Sequence, residues 1–566
     1  MMKMNVRRRP GYILVIVAGL INLISCDQPE PEIRFKDVTV EAGIDFIYNF
    51  GDYTYENILE SSGSGITVFD YDGDQHLDLY MMNGTWLEGI SDDEGKVFEN
   101  SPNKLYRNLG NGTFEEVGEK AGVDDRHWSM AAGAIDYDLD GDQDLYLLNY
   151  GPNIFYQNNG DGTFTDITHK LGLSGPDTLN GFLKWSVGVS FWDYNRDGRL
   201  DAFVGNFLAF DPQYVSPTTP QMMPHPSEYA GQASMMYEQQ QDGTFRDVTA
   251  LIGLHFPDSK CMGLTVYDYD ADGDLDLFQG NDHQANFMFR NQEDGFKEVG
   301  VEIGVAVNSH GQTTGSMHGA IGDVDGDGFI DLLVPDLKYG ALYRNLGNGS
   351  FEDITEKSGV AAAFSGKGQW ASALFDYDND GDLDIFSANG TAEELIKQYP
   401  ILLENDGHGN FTDVGRGLSP YFSTKRSGRA AAIWDYDNDG ALDIIVSHLD
   451  MKATPVLLKN SCLNNNHWLG LTLQGSAGPA SAIGARVIVH TGEDAKVFIN
   501  QWTTTYLTSS DQRLHIGLGK KKSVDRLEII WSDGTTESFP EPEIDRYLTL
   551  KQGSGIKETE PGTPSQ

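Results

Sequence analysis

The chain has 566 residues and carries 40 basic against 85 acidic side chains, a formal net charge of −45. Such an excess of negative charge excludes binding driven by neutralisation of nucleic-acid phosphates. Its 28 Phe, 25 Tyr and 9 Trp supply enough apolar surface for a packed core and exclude a disordered polyanion.

Residues 1–25 begin with Lys3, Arg7, Arg8 and Arg9 and run into YILVIVAGLINLI. This is the charged-then-apolar order of an export signal, too short for a comfortable membrane span. The run ends in Leu23-Ile24-Ser25-Cys26, which resembles the bacterial lipobox. The resemblance implies that Cys26 is acylated and becomes the first residue of the mature chain, tying it to a membrane. An ordinary secretory signal with an incidental cysteine is the alternative. Residues 26–34 are acidic and Pro-rich and read as an extended tether. Only Cys261 and Cys462 remain beyond it, so no disulfide framework is expected.

From residue 35 to 460 the chain repeats itself. An Asp-rich nonapeptide occurs seven times: DYDGDQHLD from Asp70, DYDLDGDQD from Asp136, DYNRDGRLD from Asp193, DYDADGDLD from Asp268, DVDGDGFID from Asp323, DYDNDGDLD from Asp376 and DYDNDGALD from Asp435. Between these copies a second element recurs, as LYRNLGNGTFEEV from Leu105, IFYQNNGDGTFTDI from Ile154, LYRNLGNGSFEDI from Leu342 and LLENDGHGNFTDV from Leu402, with weaker copies MYEQQQDGTFRDV and MFRNQEDGFKEV. Each is an alternating apolar run, a Gly- and Asn-rich turn and a second alternating run, which predicts a β-hairpin. Runs of small and β-branched residues precede the nonapeptides, among them GSGITVF, AAGAI, GVSFW, GLTVY and AAAIW, and suit crowded inner strands. Four short strands per unit, repeated radially, predict an all-β propeller. FKDVTVEAGI from Phe35 and VLLKN from Val456 each lack half of a unit. Pairing the two would close the ring at seven blades and leave no open edge.

All seven nonapeptides keep an oxygen-bearing side chain at positions 1, 3, 5 and 9. The candidate ligands are Asp70, Asp72, Asp74 and Asp78; Asp136, Asp138, Asp140 and Asp144; Asp193, Asn195, Asp197 and Asp201; Asp268, Asp270, Asp272 and Asp276; Asp323, Asp325, Asp327 and Asp331; Asp376, Asp378, Asp380 and Asp384; and Asp435, Asp437, Asp439 and Asp443. Alternation turns every second carboxylate toward one point, the arrangement that Ca2+, a hard cation taking six to eight oxygens, requires. Position 6 is Gly in every copy except the first, where it is Gln75, as a sharp turn demands. The acid at position 9 rather than 12, and strands rather than helices on either side, separate these loops from EF-hands. About one structural Ca2+ per blade is expected, because so many close carboxylates repel one another without a cation.

Loops and hairpins together resemble FG-GAP/VCBS repeats, such as those of integrin alpha-subunit propellers. After residue 460, NHWLGLTLQG from Asn466, AIGARVIVHTG from Ala482, LTSSDQRLHIGLG from Leu507 and VDRLEIIWSDG from Val524 look like an ASPIC/UnbV domain. The combination resembles the cartilage acidic protein family and its bacterial lipoprotein and secreted relatives, without that family's Cys-rich growth-factor-like module. Strand-like runs separated by Gly and Asp-Gly turns over 462–551 independently predict a small β-sandwich or barrel, and 552–566 read as a disordered tail.

These features point to an extracytoplasmic binding or adhesion module, a monomer at the outer membrane or cell surface, with a protein or glycan ligand and no nucleic-acid partner. The insertion from Ala209 to Ser234 is a candidate contact loop. Trp86, Trp502, Tyr506 and Trp531 are candidates for stacking on sugars. One alternative is an extracellular hydrolase with its site in the propeller channel, where His127, His283, His310 and His318 would have to converge; another is a scaffold in an envelope assembly. No nucleophile elbow, zinc-protease helix or phosphate loop is present, so no catalytic residue is assigned and no enzymatic activity is expected.

Overall fold

Small and β-branched residues ahead of each Asp loop form the first strand of a four-stranded antiparallel sheet, and the loop's ninth residue opens the second strand. A computed structural model describes residues 34–220, 222–392, 395–450, 452–461, 464–476, 482–501 and 505–557. The export signal, Cys26 and residues 27–33 of the tether lie outside these residues, as do Cys462 and Trp502. Arg34, read as tether, already belongs to the folded part, its N–H donating to Leu418 O at 2.9 Å.

The second loop shows the unit: Ser129–Ile135, the loop, Asp144–Asn149, Ile154–Asn158 and Phe164–Asp166 follow one another across the sheet. The sheet of the seventh loop is completed from the other end of the chain. Gly428–Trp434, Asp443–His448 and Val456–Asn460 are joined there by Phe35–Asp37, with Phe35 opposite Asn460. First strands of successive sheets lie side by side, and Gly428–Trp434 returns to Ile66–Phe69. Between the fourth and fifth sheets the contact is Thr265 Oγ1 donating to Gly319 O at 2.6 Å. Small residues are needed where these strands converge: a Cβ on Gly133 would stand 2.7 Å from Val189.

Neighbouring sheets are also latched at the Asp loops. An amide at the end of each third strand (Asn108, Asn158, Gln239, Asn291, Asn345, Asn405, Asn460) donates to the carbonyl of position 2 in the preceding loop at 2.7–3.1 Å, and Asn108 reaches Tyr436 of the last. Buried amide-to-carbonyl bonds are costly to break because each orphaned partner stays desolvated. Asn158 bonds Tyr71 O at 2.8 Å and Gln143 O at 3.1 Å. We therefore expect Asn158→Ala to lose about 2–4 kcal/mol in urea unfolding at saturating calcium; an unchanged midpoint would show that the latch adds nothing.

The C-terminal domain packs two sheets around Leu469, Leu471, Val487, Ile516, Leu527 and Trp531. In one, His467–Gln474 lies between Leu514–Gly519 and Tyr547–Lys551. The other orders Asp494–Ile499, Arg486–Thr491, Arg526–Ile530, Thr536–Pro540 and Ile556–Lys557. The last strand corrects the expected tail: Ile556 pairs with Ser538, so order continues through Lys557, and residues 558–566 lie outside the described residues.

Antiparallel alternation places all Asp loops at one end of the propeller and the second-to-third and fourth-to-first connections at the other. The C-terminal domain sits on the Asp-loop end. From it a segment enters the ring: Thr508 and Ser509 pair in parallel with Ile66 and Thr67, Thr505 donates to Ala431 O, and Tyr506 packs on Trp370 at 5.1 Å. At the opposite end Arg429 Nε donates to Ser61 O at 2.9 Å and Ser64 bonds Ser447 at 2.9 Å. Between the inner strands and this segment a cavity of about 20 Å³ remains, lined by Ala131, Val189, Leu264 and Leu507 among others. That is room for about one water.

Candidate metal sites

Each Asp loop is organised by its own carboxylates. The first-position Asp accepts the N–H of position 6 at 2.7–3.1 Å, which curls the loop. Curling puts positions 4 and 6 in the left-handed region. Position 6 is mostly Gly, but Gln75 adopts φ +68°, and position 4 holds Leu139, Arg196 and Ala271 at +62°, +57° and +59°. Non-Gly residues enter this region at a cost, so the surrounding bonds must hold them there. Position 4 is Gly or Asn in the other four loops (Gly73, Gly326, Asn379 and Asn438), residues that take this region readily.

The ninth-position Asp is a structural hub. One of its oxygens accepts the N–H of the latch residue at 2.7–2.9 Å and the other the N–H of position 2 at 3.0–3.3 Å. Position 5 accepts the N–H of position 7 at 2.9–3.1 Å in all seven loops.

Positions 1, 3 and 9 converge. In the first, second, fourth, fifth and sixth loops one oxygen from each lies within 4.8 Å of the other two: Asp70, Asp72 and Asp78; Asp136, Asp138 and Asp144; Asp268, Asp270 and Asp276; Asp323, Asp325 and Asp331; Asp376, Asp378 and Asp384. Oxygens around one calcium ion at 2.3–2.6 Å span about that separation. Position 5 (Asp74, Asp140, Asp272, Asp327, Asp380) is not in these triads. In the third loop Asn195 takes the place of a carboxylate beside Asp193, Asp197 and Asp201. In the seventh, Lys459 pairs with Asp437 and lies 3.2 Å from Asp439.

Two observations fit a cation here. Asp72, Asp270 and Asp437 each keep one buried carboxylate oxygen without a hydrogen-bond partner. Burial also drives the carboxyls up, to about 8 at Asp144, Asp201, Asp331 and Asp376, about 7 at Asp435 and about 10 at Asp384, with neighbouring carboxylates of the same loop pushing the same way. Full ionisation is therefore disfavoured until a positive charge enters. Arg107 at 2.6 Å from Asp72 and Arg290 at 3.4 Å from Asp270 supply part of that charge from the residue before the latch amide. These donors, oxygen-only and alternating, suit a hard divalent ion.

A family model for the FG-GAP-like repeat matches residues 93–147, 136–204, 268–334, 323–387 and 376–446, which together make up half of the chain. The chain belongs to the FG-GAP-like repeat family. A second model, ASPIC and UnbV, matches residues 475–557. Cartilage acidic protein 1 of Xenopus tropicalis is 29% identical over 289 residues, 49% of this chain and 42% of that protein. The Mus musculus protein of the same name is 27% identical over 501 residues, 87% of this chain and 65% of that one. The chain thus spans less than two thirds of the length of these curated relatives. Among solved structures, an N-acetylglucosamine-recognising lectin of Agrocybe aegerita aligns with a TM-score of 0.38 and 16% identity, covering 70% of this chain and 94% of that one.

Other expected contact residues of this FG-GAP chain are placed differently from one another. Tyr506 and Trp531 are buried, which corrects their reading as sugar-stacking candidates, while Trp86 is half-buried with Nε1 donating to Asp92 O at 2.9 Å. His318 is buried, accepting the N–H of Ser372 at 3.1 Å, whereas His127 is half-exposed beside Asp125 at 2.8 Å. His283 is held by Asp282, and His310 is exposed. The insertion is folded: Phe210 and Tyr229 are buried, packing together at 5.9 Å, and Lys260 donates to Pro226 O at 2.9 Å.

Proposed function

We propose that this chain is an exported, lipid-anchored, calcium-loaded binding module that presents the end of its propeller opposite the Asp loops to a protein or glycan, and that it catalyses no reaction. The observation carrying this reading is the allocation of surfaces. Its Asp-loop end is covered by its own C-terminal domain over the sixth and seventh loops, with a cavity of about 620 Å³ left beside the first and second, and the channel is filled by residues 505–510. The opposite end carries the folded insertion, where long loops on a rigid scaffold serve recognition. Calcium, about one ion per loop, neutralises the triads and fixes the loops that the latches depend on. Cys26 at the end of the apolar leader is the anchor.

Native mass spectrometry and thermal melting of the chain beginning at Asp27, with and without chelator, test the cation part. About seven bound ions and a large drop in melting temperature on chelation are expected. No bound calcium and an unchanged melt would sink it. Glycan-array and membrane pull-down experiments with the loaded protein test the binding part; loss of capture on replacing the insertion by a short Gly-Ser turn is expected, and undiminished capture would place recognition elsewhere.

A further inference from the structure

The C-terminal domain reaches several Asp loops, with Arg486 donating to Gly328 O of the fifth at 2.9 Å and Gln143 of the second donating to Gln512 at 3.1 Å, but it seats most closely on the sixth and seventh. Tyr547 donates its hydroxyl to Asp435 Oδ2 at 2.8 Å, the same oxygen that accepts the N–H of Gly440. Gly440 lies against Trp468, where an added Cβ would stand 2.0 Å from the indole. His515 is bonded to Asn379 Oδ1 at 2.6 Å and Lys496 to Asp382 at 2.8 Å. Gly517 approaches so closely that a Cβ would meet Asp376 Oδ2 at 1.8 Å and the backbone of Asn379 at 2.8 Å. First-position Asp376 and Asp435 are 4% and 1% exposed, and Asp136 5%, whereas Asp70, Asp193, Asp268 and Asp323 are only partly buried.

The C-terminal domain therefore docks on the curled backbone of two cation loops, at contacts too close to survive a change in loop shape. We propose that cation occupancy of the sixth and seventh loops is thermodynamically coupled to docking of the C-terminal domain and to entry of residues 505–510 into the channel. This inference rests on the reading of the Asp loops as cation sites. Empty loops relax because nothing then draws the oxygens of the first, third and ninth positions to one point, and the surface that fits Trp468, Gly517 and Tyr547 is lost with them. Coupling is reciprocal: a domain that cannot dock weakens these two sites by the same factor and the less closely covered loops by less.

Hydrogen exchange across a calcium titration of the chain beginning at Asp27 tests this. Protection of residues 505–519 is expected to rise together with that of 376–384 and 435–443, by about tenfold or more between chelator and saturating calcium. In Gly517→Ala, two sites are expected to bind calcium about tenfold more weakly by native mass titration, with smaller changes at the rest. Lys496→Ala, which removes the edge contacts with Gly381 O and Asp382 but no close backbone packing, is expected to move the same two sites in the same direction by less and keeps the test informative if the glycine variant fails to fold. Calcium bound in all loops with equal protection of 505–519 in chelator, or unchanged sites in both variants, overturns the coupling alone. Absence of bound calcium overturns the cation reading itself and the coupling with it.

Discussion

Asp384→Ala is expected to destabilise the protein by about 2–5 kcal/mol in chelator as well as in calcium, because the N–H groups of Asn405 and Tyr377, at 2.8 and 3.3 Å from the carboxylate, lose their acceptor inside the protein. Asp384→Asn separates the two roles of this residue. Its amide oxygen still accepts one N–H, and the variant no longer carries a carboxyl whose pKa burial raises to about 10. In chelator, the Asn variant should match or exceed the parent; in calcium, it should lack the stabilisation contributed by the sixth loop. Urea titrations of the three proteins under both conditions decide between the roles. Equal losses for Ala and Asn in calcium with no loss for Ala in chelator would make the ninth position a metal ligand with no structural duty.

Tyr506→Ala should be nearly as damaging. Tyr506 is fully buried, packs on Trp370 and lies at the inner tip of the channel segment, at the Arg429 end of the ring. Truncating a buried aromatic side chain costs about 3–5 kcal/mol through lost contact and the cavity left behind. Urea unfolding should show that loss, and hydrogen exchange should rise in Ile66–Phe69 and Gly428–Trp434, whose neighbours in the channel are Thr508 and Thr505. An unchanged midpoint with unchanged exchange would mean that the segment does not hold the ring together in solution.

Much of this architecture is legible in the amino-acid sequence because it rests on local rules. Alternating acids and the Gly at position 6 mark the loops; the hairpin turns mark the outer strands; two half-units at residues 35 and 456 announce their pairing, observed as Phe35 opposite Asn460. Interactions between units are less legible. The latch amides stand in plain view as Asn108, Asn158 and their counterparts, but their acceptors belong to a different unit, and Gln239 breaks the pattern while making the same bond. Leu139 and Arg196 give no sign of the left-handed backbone they adopt. The run YLTSSDQR looks like one more strand of the C-terminal domain, whereas its burial comes from the propeller. Short-range periodicity says which face of a strand is apolar and nothing about which body covers it.

Closing the ring with the first strand sets a timetable for biosynthesis. Arg34 and Asn460, bonded in the finished protein, are 426 residues apart. At about 5–20 residues per second, roughly 20–90 s separate the emergence of the one from that of the other. During that interval six sheets can assemble while Phe35–Asp37 and the open flank of the first sheet await partners, and non-local pairing of this kind is slow to form. Exposed strand edges invite association between chains. The newly made protein is therefore most vulnerable just before its last unit appears, and truncation ahead of Val456 should yield insoluble protein rather than a smaller ring.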